Sequence, residues 1–253
     1  MSEPEAGRSR SGPAVAMSSG SPHRLPYHGR VLPLPAALLW DMDGTLIDTE
    51  PYWMAAETEL VEAHGGVWTQ VDAVRMIGSS MAVCAAELQS RGVELTVAQI
   101  ADALNSRVGA SVAAGIPWKA GALELLTELS AAGVPQALVT SSQAVLARPF
   151  ADAVGVFDVV VAGDDVTHSK PHPEPYLTAA RLLGLDPAVC VAVEDSPSGV
   201  AAALASGARV VALASPSSVP TTPELSRVSW LTDLDLATLA RVGAGHVLDL
   251  RAA

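Results

Sequence analysis

The stretch Asp41-Met42-Asp43-Gly44-Thr45-Leu46-Ile47-Asp48-Thr49-Glu50 decides how the rest of this chain is interpreted. The apolar run at residues 36–40 precedes it and is too short for a helix, so we predict a buried strand there. Asp41 and Asp43 would then emerge at the carboxyl edge of the strand, where ligands bind in open α/β sheets. An isolated Asp-x-Asp-Gly is most often an ordinary turn, because motifs this short match by chance. Further motifs must therefore decide whether these carboxylates are functional.

Composition limits the partners that the chain can have. With 253 residues and 49% hydrophobic side chains it can bury a substantial core, as one large domain or one domain with an insertion. A net charge of −12 argues against a nucleic-acid partner and against attraction to anionic membranes, and no apolar run is long enough for a membrane span. Cys84 and Cys190 lack metal-ligand spacing, which indicates a packing role in a reducing, cytoplasmic environment.

Residues 1–34 and 51–116 differ in character from the rest of the chain. The first segment is rich in Ser, Gly, Pro and Arg without the apolar core of a secretory signal, so a disordered tail is predicted over residues 1–34. The second shows helical periodicity throughout and no strand-like run, which predicts an all-helical insertion after the first strand. Helices are predicted from Pro51 to about Ala63 and over Val71–Ile77, Met81–Gln89 and Thr96–Ala113.

From Gly121 onward strands and helices alternate, which is typical of a parallel sheet covered on both faces. Strands are predicted at 136–139, 159–162, 189–193 and 209–213. Together with the first strand they give an α/β fold built on a doubly wound parallel sheet.

Polar motifs follow three of these strands. Thr140-Ser141-Ser142 precedes a helix and suits a phosphate, although alone such a triplet is most often only a helix N-cap. Lys170, one of only two lysines, could neutralise charge near a phosphoryl group; the alternative is a solvated surface lysine. Glu194 and Asp195 end an apolar strand, where burial without a cation would be costly; the alternative is a pair of solvated loop acids. His168 and His172 flank Lys170 with no nucleophile to pair with, and are interpreted as loop histidines.

In this order, and each at a strand end, the four motifs resemble those of the haloacid dehalogenase superfamily, in its phosphatase branch with a small helical cap. The resemblance runs from about Leu38 to Leu213. It implies a Rossmann-like core formed by residues 35–50 and 117–253, with the α-helical cap at 51–116.

The resemblance also implies a set of site residues. Asp41 would be the nucleophile that forms an aspartyl-phosphate, Asp43 would protonate the leaving alcohol and then activate water, and Lys170 would complete the catalytic group. The substrate, a small phosphorylated metabolite such as a sugar phosphate, would be bound by Thr140, Ser141, Ser142 and Gly44. Magnesium would be held by Asp41, the backbone carbonyl of Asp43 and Asp195, with Glu194 either a direct ligand or one shell further out.

Four competing functions are weighed. A hydrolytic dehalogenase would lack Asp43, a phosphonate hydrolase would need a cap lysine that residues 51–117 lack, and a non-catalytic binding protein would not need all four motifs. The serious rival is a sugar-phosphate mutase, which shares the cap type and the core motifs. It needs a second cationic pocket, for which the resembling mutases supply an arginine after a cap glycine and a lysine after the second motif.

In this chain Met81 and Gln143 occupy the matching positions, and neither is cationic, so hydrolysis is predicted. Arg75 could supply the missing positive charge from a neighbouring turn. The substrate itself is not readable from the sequence. Arg75, His64 and the segment 78–80 are the candidate residues that select it.

Overall fold

The computed structural model describes residues 24–27, 30–77, 79, 81–215, 219 and 222–251. Its strands are β1 (Arg24–Tyr27), β2 (Arg30–Pro33), β3 (Ala37–Trp40), β4 (Gln136–Val139), β5 (Val159–Val161), β6 (Cys190–Glu194), β7 (Arg209–Leu213) and β8 (Leu225–Val228). Its α-helices are α1 (Glu50–Ala63), α2 (Gln70–Met76), α3 (Met81–Ser90), α4 (Val97–Ala114), α5 (Ala122–Ala131), α6 (Ala144–Val154), α7 (Glu174–Leu182), α8 (Pro197–Ala205) and α9 (Leu236–Gly243). None of these helices is long and apolar enough to cross a membrane.

The main sheet has six strands in the order β5-β4-β3-β6-β7-β8, and every neighbouring pair is parallel. Strand β3 is central because its four residues, Ala-Leu-Leu-Trp, are apolar on both faces and completely buried. Trp40 lies beside Leu138 of β4 and Val193 of β6. The residues that follow these three strands therefore meet at one edge of the sheet.

Helices cover both faces of the sheet, which confirms the predicted doubly wound α/β fold. One apolar cluster includes side chains of α5, α6, α9 and the helical insertion, and the other includes side chains of α7 and α8. The insertion consists of α1 to α4, between β3 and α5. Thr96 caps α4 in a capping box with Gln99.

Two parts of the sequence interpretation need correction. Strand β8 lies where no strand was predicted, because Leu225-Ser226-Arg227-Val228 is a short edge strand that carries two polar residues. The predicted disordered tail does not hold for residues 24–27 and 30–33, which pair as antiparallel strands β1 and β2 near α9; residues 1–23 lie outside the described part of the chain.

Candidate active site

Lys170 joins two of the predicted motifs at the carboxyl edge of the sheet. Its ammonium lies 2.7 Å from Asp41 Oδ1, 2.6 Å from Glu194 Oε1 and 2.9 Å from the carbonyl oxygen of Val139. The Lys170 side chain is only 2% exposed, so the alternative of a solvated surface lysine is wrong. All three donor positions of the ammonium are used, and one of them fixes Asp41 through a single carboxylate oxygen. The other oxygen, Oδ2, has no protein donor among the described residues.

Burial and charge act in opposite directions on this pair. Burial raises the pKa of Asp41 well above its usual range, the negative charge of Glu194 raises it further, and Lys170 lowers it. Burial alone would lower the pKa of Lys170, but Asp41 and Glu194 hold it well above its usual range. Lys170 is therefore charged, and its ammonium partly offsets the cost of burying the acids around it.

Glu194 is fully occupied by donors from the protein. Its Oε1 accepts from Lys170 and from the hydroxyl of Tyr176 at 3.2 Å, while its Oε2 accepts from the backbone N–H groups of Asp195 and Ser196 and from the Ser196 hydroxyl. These five donors exceed the roughly four lone-pair positions of a carboxylate. Gly199 must be glycine because a Cβ there would lie 1.5 Å from Glu194 Oε1.

Asp195 is more open than Glu194. Its Oδ1 accepts from the Thr45 hydroxyl at 3.1 Å, and its Oδ2 faces the Cα of Gly44. A Cβ on Gly44 would come within 2.4 Å of Oδ2, and the φ of +88° at Gly44 also favours glycine. Burial and the charge of Glu194 raise the pKa of Asp195 to about 6.

Asp43 is held by hydroxyl groups from two sides. Thr49 donates to its Oδ1 at 2.6 Å, and Ser142 and Thr140 donate to its Oδ2 at 2.7 Å and 3.4 Å. The sequence placed Ser142 in the substrate-binding set, but in the structure its hydroxyl orients Asp43. Thr49 was missed, although it is 1% exposed and belongs to the motif itself, because nothing in a local pattern tells where its hydroxyl points.

The predicted phosphate-binding residues behave differently from one another. Thr140 is buried and its hydroxyl accepts from the backbone N–H of Ser142 at 3.0 Å, whereas Ser141 is exposed and its hydroxyl has no partner in the described residues. Gly44 donates its N–H to the carbonyl of Ile47 at 2.8 Å, so that N–H is not free for a substrate. The close approach to Asp195 accounts for glycine at this position, and its predicted contact with substrate stays a prediction.

The residues present fit a bound divalent cation. Asp41, Glu194 and Asp195 each offer a carboxylate oxygen, and these atoms lie within 4.8 Å of one another. Asp43 adds a fourth carboxylate nearby, while Lys170 is the only cation that pairs with them among the described residues. Carboxylate oxygens are the ligands that Mg²⁺ prefers, and a dication would offset the excess of negative charge.

The candidate selecting residues in the insertion are not brought together in the same way. Arg75 and His64 are exposed, and residues 78 and 80 lie outside the described part of the chain. Met81 packs against the apolar cluster, and the Gln143 side chain accepts a hydrogen bond at 2.8 Å from Asn105 of α4. Neither of the positions that would carry a mutase's second cationic pocket is charged.

Comparison with known proteins agrees with this geometry. A family model described as haloacid dehalogenase-like hydrolase matches residues 35–207. The chain belongs to this hydrolase family. Hexitol phosphatase A of Escherichia coli (strain K12) is 34% identical over 83% of this chain and 96% of its own length, and Protein CbbY of Rhodobacter capsulatus is 34% identical over 79% and 94%. The crystal structure of CbbY from Rhodobacter sphaeroides in complex with phosphate superposes with a TM-score of 0.72 at 28% identity, covering 81% of this chain and 99% of that one.

These matches confirm the predicted resemblance and identify the chain as an enzyme of phosphatase type. The sequence motifs had also predicted the phosphatase branch of the superfamily.

Proposed function

We propose that this protein is a Mg²⁺-dependent phosphatase that hydrolyses a small phosphorylated metabolite, such as a sugar or sugar alcohol phosphate, through an aspartyl-phosphate on Asp41. The observation that carries the proposal is the three-way contact of Lys170 with Asp41, Glu194 and the end of β4. It fixes Oδ1 of Asp41 beside a cation and leaves Oδ2 as the nucleophilic oxygen. The name of the E. coli relative, a hexitol phosphatase, supports the substrate class.

The first half-reaction transfers the phosphoryl group to the enzyme. Asp41 Oδ2 forms a bond to phosphorus while the bond from phosphorus to the substrate's alcohol oxygen breaks. Asp43 gives its proton to that departing oxygen, so the product is a neutral alcohol. Thr49 and Ser142 orient the Asp43 carboxyl by donating to its two oxygens.

The second half-reaction returns the enzyme to its starting state. Asp43, now ionised, takes a proton from water, and the water oxygen attacks phosphorus as the bond to Asp41 breaks. The Lys170 ammonium and the hydroxyl of Ser141 would stabilise the negative charge of the phosphoryl oxygens in both steps. Inorganic phosphate leaves, and Asp43 again holds the proton.

Asp41, the backbone carbonyl of Asp43 and Asp195 would hold the magnesium ion, which would neutralise charge on the phosphoryl oxygens. Glu194 would act through hydrogen bonds instead, because its lone pairs are taken by Lys170, Tyr176 and the turn at 195–196. The sequence had left open whether Glu194 binds the metal directly, and its saturated carboxylate supports the indirect role.

The test is a panel of sugar and sugar alcohol phosphates assayed for phosphate release with Mg²⁺ and with excess chelator. We expect turnover with Mg²⁺ and its loss with chelator, restored when Mg²⁺ is added back. Full activity in excess chelator would overturn the metal assignment. Failure of every phosphorylated substrate would overturn the phosphatase itself.

A sugar-phosphate mutase is the second candidate because it would use the same core residues. Gln143 argues against it, since its amide oxygen is bonded to Asn105 and the side chain carries no charge for a second phosphate. Losing two charge-assisted contacts should weaken bisphosphate binding by roughly 3–6 kcal/mol. Supplying β-glucose 1-phosphate with a trace of the bisphosphate separates the two: glucose 6-phosphate forming faster than free phosphate would establish the mutase.

A further inference from the structure

The turn that carries Lys170 has two different faces. Lys170 points inward to the active site, while His168 and His172, two residues to either side, point to solvent with side chains 61% and 51% exposed. The backbone N–H of His172 donates to the carbonyl of Ser169 at 3.0 Å, which closes the turn and brings the two imidazoles to the same side. The outward face plays no part in the chemistry proposed above.

Glu174, the first residue of α7, lies between the two imidazoles. Its Oε2 is 2.7 Å from His168 Nδ1 and 3.9 Å from His172 Nδ1. The ring centroids are 4.6 Å apart, and one ligand atom from each of the three residues lies within 4.8 Å of the others. Two imidazole nitrogens and a carboxylate oxygen thus converge on one point at the surface.

The protonation of these groups also suits a metal. The backbone N–H of Thr167 and the side chain of His168 lower the pKa of Glu174, so the carboxylate is ionised at neutral pH. His172 Nδ1 accepts from the backbone N–H of Glu174 at 3.2 Å, so a metal ion bound at this nitrogen would displace that hydrogen bond. The proton on the short contact between His168 and Glu174 is one that a metal ion can displace.

We propose that His168, His172 and Glu174 form a second metal site, for a divalent ion that prefers imidazole, such as Zn²⁺. Two histidines and one carboxylate form a ligand set that zinc accepts with a position left open, whereas Mg²⁺ prefers oxygen ligands. Zinc–ligand distances of about 2.0–2.2 Å require the three atoms to approach to roughly 3.4 Å. The exposed histidine side chains can do this by rotating. On binding, the ion replaces the proton between His168 and Glu174, which passes to solvent.

The experiment is a calorimetric titration of the full chain with Zn²⁺ in the presence of excess Mg²⁺, which keeps the acidic site at Asp41 and Asp195 filled. His168→Ala and His172→Ala should each weaken the zinc affinity by about tenfold or more, since even the loss of an indirect partner of a metal costs that much. His64→Ala is the matched control, because His64 is an exposed histidine on the helical insertion, and its zinc affinity should equal that of the wild type.

Both substituted histidines are exposed, so the alanine variants should keep the wild-type thermal unfolding curve, which is checked first. Equal zinc affinity in the wild type and both variants would overturn the proposal, as would the absence of zinc binding to the wild type. In either case the contact between His168 and Glu174 would be only an exposed ion pair that shapes the turn.

Discussion

Two parts of this molecule bury carboxyl groups, and they do so in opposite ways. At the carboxyl edge of the sheet, Asp41 is buried beside the ammonium of Lys170 at 2.7 Å. Inside the helical insertion, Glu57 is 5% exposed and its closest partner is the thiol of Cys84, which donates to Oε1 at 3.4 Å. Among the described residues, neither its Oε2 nor the indole N–H of Trp68 has a hydrogen-bond partner.

The pKa values show what the difference means. Burial raises the pKa of Glu57 to about 7, and the hydrogen bond from Cys84 lowers it only in part. Without a cation, the group escapes the cost of burial by keeping its proton. At the sheet edge several acids share one pocket with the charged Lys170, which lowers the pKa of Asp41 against the larger effect of burial. Among the described residues, the sheet edge thus differs from the insertion in that a buried cation lies among its acids, whereas Glu57 is buried without one.

The largest effect is expected when the nucleophile at the sheet edge is removed. Asp41→Asn keeps the shape of the side chain but removes the ionised oxygen that attacks phosphorus. We expect kcat to fall on the order of 10⁴-fold or more, while the protein still unfolds cooperatively because Lys170 keeps its ion pair with Glu194. The measurement is steady-state phosphate release with Mg²⁺ on the preferred sugar phosphate. Asp102→Asn, an exposed acid on α4, is the control and should keep wild-type turnover; turnover of Asp41→Asn within tenfold of the wild type would place the nucleophile elsewhere.

Removing the cation should leave the acids of the sheet edge buried without a positive charge, as Glu57 is in the helical insertion. Lys170→Met leaves Asp41 and Glu194 buried without their ion pair, and breaking such a pair costs roughly 3–5 kcal/mol of unfolding free energy. Turnover should fall on the order of 10²- to 10³-fold because the phosphoryl oxygens lose their ammonium. Urea unfolding and kinetics measure the two effects.

Lys170→Arg keeps the charge and is the comparison variant. It should retain more stability than Lys170→Met, because a cation still faces Asp41 and Glu194. Equal stability of Lys170→Met and the wild type would show that the sheet edge tolerates unpaired carboxylates.

Glu57 offers the opposite experiment, in which removing a carboxylate stabilises the protein. The pKa of Glu57 is about 4.5 in the unfolded chain and about 7 in the folded chain. The folded state therefore binds the proton more tightly, and the contribution of Glu57 to stability is full below pH 4.5 and falls by about 3 kcal/mol as the pH rises to 7. Glu57→Gln does not titrate and should escape this loss.

The measurement is urea unfolding of wild type and Glu57→Gln at about pH 5 and about pH 8. The advantage of Glu57→Gln should be larger at the higher pH. Glu62→Gln, an exposed glutamate on the same helix, should follow the wild type at both. Parallel pH dependence of wild type and Glu57→Gln would mean that Glu57 is ionised in the folded protein.

The two regions also differ in how far the sequence predicts them. The sheet edge was predictable because each motif directly follows a short apolar run, and parallel strands bring their carboxyl ends together. What the sequence did not show was how the side chains pair across it: Ser142 with Asp43, or Tyr176 with Glu194, contacts between residues 99 and 18 positions apart. Glu57 was not noticed at all. On a helix it looks like an ordinary surface glutamate, and only packing against Cys84, 27 residues later, buries it.

The smallest predicted effect concerns Lys119, the other lysine of the chain. Its backbone N–H donates to the carbonyl of Leu46 at 2.9 Å, beside the loop that contacts Asp195, and its positive charge contributes to lowering the pKa of Asp195 against the larger effect of burial. Lys119 forms no ion pair with any described residue, so its charge acts at a distance. Lys119→Gln would make the sheet edge more negative by one charge while leaving its carboxylates in place.

Lys119→Gln should therefore shift the affinities for a cation and for an anion in opposite directions. A screened charge at this range contributes about 0.5–1 kcal/mol, so Mg²⁺ should bind roughly two- to fivefold more tightly and inorganic phosphate correspondingly more weakly. Calorimetry without substrate measures Mg²⁺ binding, and competitive inhibition measures phosphate binding. Lys119→Arg keeps the charge and should match the wild type in both assays. A loss of the Lys119 charge should affect a cation and an anion in opposite directions. If Lys119→Gln instead changes both affinities in the same direction, the role of Lys119 is to support the loop structurally, and its charge does not tune the site.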